Sequence, residues 1–110
     1  MYHNFKTYQL SLNLYKKSKS LRLRNPLKNQ FERASLSIVL NLAEGASKPT
    51  IKDRVKFYNI SLASLRECQA IFDIIENKFL KSEYNILGAH IWKLIQNPGK
   101  PFSGDLKPET

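Results

Sequence analysis

The stretch LKNQFERASLSIVLNLAEG, residues 27–45, decides the fold of this chain. Its apolar side chains recur every three or four residues, at Leu27, Phe31, Ala34, Ile38 and Leu42. That spacing places them on one stripe of an α-helix. Pro26 precedes the stripe, where proline suits a first helical turn, and Gly45 follows it as a predicted C-terminal cap. The stretch therefore predicts a helix with one buried face.

Three further helical patterns surround this one. The first helix is predicted from about Phe5 to Ser20, and the third from Pro49-Thr50 to about Asn77. The fourth is predicted to start near Ser82, as its N-cap, and to end at Asn97-Pro98. Short links make consecutive helices antiparallel, so the pattern predicts an all-α fold, an antiparallel up-down-up-down four-helix bundle. The bundle is expected over residues 1–97, and residues 98–110 are predicted to be a Pro/Gly-containing C-terminal tail, disordered or lying on the surface.

The third helix is apolar over more of its circumference than a single bundle requires. One predicted stripe consists of Ile51, Val55, Tyr58, Leu62 and Leu65, and a second of Phe57, Ser61, Ser64, Cys68 and Ile75. A helix with two buried faces usually meets a second subunit, so we expect a homo-oligomer. The alternative is that the other three helices cover both stripes.

Length and composition limit the class of protein. A chain of 110 residues is long enough for one domain with a single core. The lone cysteine, Cys68, cannot form an internal disulfide, which excludes a Cys-based zinc site and fits a reducing compartment. No stretch approaches the roughly 20 apolar residues of a membrane span, and the first residues lack the apolar core of a secretory signal. The expected location is the cytoplasm, without membrane attachment.

The residue types that catalysis needs are poorly placed. His3 and His90 have no metal-ligand spacing with each other or with an acid, and the acids are spread singly. The four glycines are too scattered to form a phosphate-binding loop. Cys68 is predicted to be a buried structural thiol. We therefore expect no catalytic residue, no metal, no cofactor and no enzymatic activity.

The positive charge is concentrated in one segment. Residues 16–33 hold seven basic side chains and one acid, which is +6 of the chain's net +9. The predicted bundle brings the link between the third and fourth helices to the same end. The predicted nucleic-acid-binding residues are therefore Lys16, Lys17, Lys19, Arg22, Arg24, Lys28, Arg33, Lys78 and Lys81.

Some of these cations do not help folding. Arg22, Arg24 and Lys28 flank the start of the second helix, where the helix dipole destabilises each cation by roughly a few tenths of a kcal/mol. The same position suits phosphate oxygens. The leading prediction is a site for structured RNA or DNA that contacts mainly phosphates and is therefore salt-dependent. Aromatic residues are too sparse in this segment for base stacking to be predicted. The alternatives are a scaffold for an acidic protein or a nucleic-acid-processing enzyme such as a reverse transcriptase, an enzyme with a site at a subunit junction, or a solvated face without a ligand.

Two segments resemble a known family. RASLSIVLNLAEG, residues 33–45, is similar to the pattern R-x-A-x-S-I-x-x-N-[IL]-A-E-G, and FYNISLASLRE, residues 57–67, to F-x-x-I-A-x-G-S-L-x-E. With the opening HNFK, the resemblance extends over about residues 3–95. The family was first noticed as reading frames inside intervening sequences of 23S ribosomal RNA genes. The resemblance implies a four-helix bundle that assembles as a ring-shaped pentamer. The accessory proteins of diversity-generating retroelements, which pair a reverse transcriptase with RNA, are similar in fold.

The matched residues also have a structural interpretation. Asn41 lies towards the buried stripe, where its amide needs hydrogen-bond partners. Glu44 lies in the last turn of its helix, where the dipole disfavours an anion. Its expected partners are the free N–H groups of the third helix and Arg54. We predict that Asn41, Glu44, Gly45 and Arg54 together fix the corner between the second and third helices.

Overall fold

The structure, a computed structural model, describes residues 3–99, with side chains from Asn4 onward. It contains four α-helices: α1 (His3–Ser18), α2 (Leu27–Ser47), α3 (Ile51–Ile75) and α4 (Lys78–Gln96). Each helix packs against the next, and α1 packs against α4. The predicted all-α four-helix bundle is thus confirmed, and no strand occurs within residues 3–99. The predicted tail lies outside the described residues from residue 100 onward.

The predicted start of the fourth helix is wrong. Asn77 is the N-cap of α4, and its side-chain Oδ1 accepts from the backbone N–H of Leu80 at 3.0 Å. Ser82 lies inside the helix, where its hydroxyl donates to the carbonyl of Phe79. The third helix ends earlier than predicted because Glu76 takes the left-handed conformation, with φ 59° and ψ 38°. The first helix lies two residues nearer the N-terminus than the predicted range.

Gly45 does not cap α2, contrary to the prediction. The helix continues to Ser47, and the extended Lys48 follows it. Gly45 is buried inside the helix at its contact with α3. A Cβ atom there would lie 2.8 Å from Cε1 of Tyr58 and 3.1 Å from the carbonyl oxygen of Arg54. The residue is needed for close approach of the two helices and not for a turn.

The core is built around a row of three aromatic rings from three helices. The rings of Phe31 and Phe72 lie 5.6 Å apart between centroids, and those of Phe72 and Tyr84 lie 4.8 Å apart, edge to face. The hydroxyl of Tyr84 is within 2.8 Å of Ser18 Oγ, which also donates to the carbonyl of Leu14. Rings with such edge contacts gain roughly 0.5–1.5 kcal/mol beyond their buried area. This row joins all four helices at one level of the bundle.

The two predicted stripes of α3 are covered mainly within the single chain. Tyr58 and Leu65 from the first stripe, and Ser61, Ser64 and Cys68 from the second, are all buried. Eight large apolar side chains are exposed among the described residues: Leu36, Leu40, Ile51, Ile60, Ile74, Phe79, Ile86 and Trp92. Of these, only Ile51 belongs to a predicted stripe. None of the helices described is sufficiently long and apolar to pass through a bilayer.

Candidate nucleic-acid interface

One end of the bundle collects the predicted basic residues. The C-terminus of α1, the linker 19–26, the N-terminus of α2 and the two-residue turn between α3 and α4 all meet there. We call this the basic end, and its nine cations are Lys16, Lys17, Lys19, Arg22, Arg24, Lys28, Arg33, Lys78 and Lys81. Eight of them are exposed, and Lys81 is half-buried. Arg33 lies deeper along α2 than the others.

Three of the nine cations are paired with carboxylates. Lys17 Nζ lies 3.1 Å from Glu83 Oε1, and Arg33 Nη2 lies 3.1 Å from Glu67 Oε1. Lys81 pairs with Asp73. Surface pairs of this kind contribute only about 0–1 kcal/mol to stability. The three carboxylates do, however, neutralise part of the positive charge that was predicted for this end from the sequence.

The other six cations have no carboxylate partner within residues 3–99: Lys16, Lys19, Arg22, Arg24, Lys28 and Lys78. The first turn of α2 contains no acid, and Pro26 at its N-cap provides no side-chain hydrogen bond. The first turn of α4 also lacks an acid. The C-termini of α1 and α3 lie at the same end and oppose the dipoles of the two N-termini, so the positive field comes from the six cations, which the described carboxylates do not balance.

The linker presents its arginines outward because its leucines are anchored. Leu21 and Leu23 are half-buried and pack against the core, whereas Arg22 and Arg24 are exposed. The backbone N–H of Leu21 also donates to the carbonyl of Ser18 at 3.0 Å. The alternation of leucine and arginine thus gives the linker an inner and an outer side.

A cavity of about 410 Å³ opens at the basic end between α1, α2 and the linker. Its walls include two aromatic rings, two leucines and two lysines: Tyr15, Phe31, Leu21, Leu23, Lys19 and Lys28. Nζ of Lys19 lies 5.4 Å from the centroid of the Tyr15 ring. Sequence reasoning did not predict this cavity, because the two rings are 16 positions apart. The alternation in the linker was the signal that an apolar wall lies behind the arginines.

At the other end of α2, Asn41 finds its hydrogen-bond partners within its own helix. Its Nδ2 donates to the carbonyl of Ser37 at 2.9 Å and to Ser37 Oγ at 3.0 Å. The hydroxyl of Ser64, on α3, donates to the same Ser37 Oγ at 2.8 Å. One short polar chain therefore connects Asn41 to the neighbouring helix.

The expected contact between Glu44 and Arg54 is not formed. Glu44 Oε2 instead lies 2.8 Å from Lys48 Nζ, one turn away on the surface. Arg54 is 4% exposed, and its Nη1 donates to the carbonyls of Lys48 at 2.8 Å and Pro49 at 3.1 Å. Its Nε has no acceptor within the described part of the chain. Arg54 therefore holds the link between α2 and α3 through backbone carbonyls.

No group of three metal-ligating side chains occurs within residues 3–99. Cys68 is fully buried, and burial, with a smaller effect of the neighbouring Glu67 charge, raises the pKa of its thiol to about 12. The thiol is therefore protonated at neutral pH and is a poor nucleophile.

Burial likewise raises the pKa of the Tyr84 hydroxyl, and its hydrogen bond with Ser18 acts in the opposite direction without reversing the shift.

A comparison with known protein families gives a match over most of the chain. The family model of the 23S rRNA-intervening sequence protein matches residues 5–95, which include nearly all of the four helices. No curated protein and no solved structure matches the chain. A match over this length, on a four-helix bundle, is sufficient for assignment to a family. This chain belongs to the 23S rRNA-intervening sequence protein family.

Proposed function

We propose that this protein is a non-enzymatic binding protein for structured RNA, which it holds by the phosphates at the basic end. The observation that carries this proposal is the crowding of six cations without a carboxylate partner, among the described residues, at one end of the bundle, four of them beside the N-termini of α2 and α4. The four do not favour folding, because the helix dipole opposes cations at an N-terminus, whereas Lys16 and Lys19 at the C-terminal end of α1 are favourably placed. A polyanion removes that penalty and releases its own condensed counterions.

The proposal includes self-association. Arg33 and Glu67 pair across the outer surface of the junction between α2 and α3. Leu40 lies seven residues after Arg33, and Ile60 lies seven residues before Glu67, so both apolar side chains share that surface. They are 57% and 40% exposed. A homo-oligomer that covers this surface would place several basic ends side by side, and a ring of five is the first assembly to test.

Binding of a labelled RNA stem-loop tests the RNA proposal by fluorescence anisotropy. With six or more phosphate contacts, affinity falls roughly 1,000-fold between about 50 and 200 mM salt. The triple variant R22E/R24E/K28E should abolish binding at the lower salt concentration. The matched control K52E/K56E/K93E changes net charge by the same amount on exposed residues towards the opposite end of the bundle, and it should retain most of the affinity.

Two results contradict the RNA proposal. One is absence of binding by the wild-type chain at the lower salt concentration. The other is an equal loss in the two triple variants, which would mean that only net charge matters.

A protein scaffold is the second candidate, and exposed apolar residues of α4 favour it. Phe79, Ile86 and Trp92 are each more than half exposed. Apolar side chains of this size are typical anchors of protein interfaces. A partner held in this way would bind with weak salt dependence, and W92A would weaken it more than R22E/R24E/K28E.

A further inference from the structure

We propose that the cavity at the basic end receives one unpaired nucleotide of the bound RNA, with its base against Tyr15 and its phosphate between Lys19 and Lys28. The inference rests on the proposed RNA binding and adds a site for a base to it. Sequence-independent phosphate contacts need no cavity, so the cavity requires a separate explanation.

The size and lining of the cavity suit a nucleotide. Its volume of about 410 Å³ lies at the small end of the range of small-molecule sites. Tyr15 is half-buried, which leaves part of its ring available to a ligand, and Leu21 and Leu23 provide apolar surface opposite α1 and α2. A flat base can stack on an aromatic ring whatever its sequence identity.

The charges at the cavity match the two ends of a nucleotide. Lys19 and Lys28 are exposed, line the cavity and have no carboxylate partner within residues 3–99. The ammonium group of Lys19 lies over the Tyr15 ring, so a base that stacks on this face must displace it, and the displaced ammonium group can then meet the phosphate of the same nucleotide. Glu32 also lines the cavity, and its carboxylate only accepts hydrogen bonds. It suits a base amino group or a ribose hydroxyl, not a phosphate.

The walls are fixed by contacts behind them. The ring of Phe31 packs on Phe72, and Ser18 is joined to Tyr84 at 2.8 Å. The hydroxyl of Ser35 donates to the carbonyl of Glu32 at 3.3 Å. A cavity held open by core contacts loses little conformational freedom when a ligand enters, which favours binding.

The test compares two labelled single-stranded RNA oligonucleotides of equal length and charge, one complete and one in which all bases are absent. Both present the same phosphates, so any difference in affinity comes from the bases. The wild-type chain should bind the complete strand roughly 10-fold more tightly. Y15L should lose this difference, and Y15F, which retains the ring, should preserve it.

Two further variants separate the cavity from general charge and from misfolding. K16A removes a cation of the basic end that does not line the cavity, so it should weaken both strands by the same factor. S35L places an aliphatic side chain in the cavity, which Ser35 lines, and should remove the preference for bases without altering α1. Circular dichroism and thermal melting establish that each variant is folded, and S35L replaces Y15L if the latter is not.

Each outcome is decisive. Loss of the preference in Y15L and S35L, with Y15F unchanged, supports the site. Equal binding of both strands by the wild-type chain overturns the cavity site and leaves phosphate binding intact. A preference that survives in Y15L also overturns it. If neither the stem-loop nor either strand binds at low salt, the proposed function fails and this inference fails with it.

Discussion

The ring of Tyr58 lies directly against the backbone of Gly45, so that a Cβ atom on Gly45 would come within 2.8 Å of Cε1 and 2.9 Å of Cδ1. Tyr58 is fully buried and cannot swing away, and the carbonyl oxygen of Arg54 lies on the same side. The separation of α2 and α3 near their connection is therefore set by the missing side chain at position 45.

G45A should lower the free energy of unfolding by about 1–3 kcal/mol through overpacking. Helix propensity alone predicts the opposite sign, a gain of up to about 1 kcal/mol. Urea denaturation distinguishes the two. G88A is the control, since its Cβ would lie 3.2 Å from the flexible end of Leu65, beside a second cavity. A larger loss in G88A than in G45A would contradict the prediction.

Arg54 and Glu44 should differ greatly in their effect on stability. R54M removes two charge-assisted hydrogen bonds to the carbonyls of Lys48 and Pro49, with an expected cost of about 1–3 kcal/mol. E44Q removes only an exposed pair with Lys48 and should cost less than about 0.5 kcal/mol. Thermal melts of the two variants provide the measurement. Equal losses would mean that Glu44 supports the corner after all.

The slope of log affinity against log salt should depend on which cation is removed. R24Q takes away a cation without a carboxylate partner among the described residues and should reduce the slope by roughly 0.7–0.9. K81Q changes the net charge equally, but Lys81 is paired with Asp73 and should change the slope much less. Anisotropy titrations of an RNA stem-loop at several salt concentrations provide the slopes. Identical reductions would show that the ion pair does not withhold Lys81 from the RNA.

Stability should decline at alkaline pH, in part because of Cys68. Its thiol would ionise near pH 9.0 in the unfolded chain, but burial raises its pKa to about 12 in the folded one. Above pH 9.0 the unfolded state therefore binds fewer protons than the folded state. The contribution of Cys68 to stability is complete below that pH and is lost as the pH rises towards 12. Urea denaturation across this range should show a shallower decline for C68A than for the wild type. Parallel declines would contradict a buried, protonated thiol.

The junction between α2 and α3 should decide the oligomeric state. L40E places a charge beside Ile60 on the exposed surface and should shift the protein to the 12.7 kDa monomer without unfolding it. I86E, on α4, changes a side chain of similar exposure and should leave the assembly intact. Light scattering at high protein concentration measures both. A wild-type monomer would refute self-association.

The helices were predictable from sequence because their signals are local. In α2, apolar residues from Leu27 to Leu42 recur at helical spacing, and such a pattern needs no knowledge of distant residues. The boundary between α3 and α4 was not predictable in the same way. Glu76 takes a left-handed conformation that glycine usually supplies, and Asn77, not Ser82, caps the next helix.

The candidate site was likewise predictable from the sequence only in part. The sequence by itself determined the helical class, the antiparallel order and the concentration of cations between residues 16 and 33, since these follow from periodicity, link length and composition. Only the tertiary structure decided that Lys17, Arg33 and Lys81 meet carboxylates, while Arg22 and Arg24 meet none of those in the described part of the chain. It also decided that a cavity forms at Tyr15 and that Gly45 is a contact surface. These features depend on side chains from different helices within a few ångströms of each other, and no pattern along one helix specifies such distances.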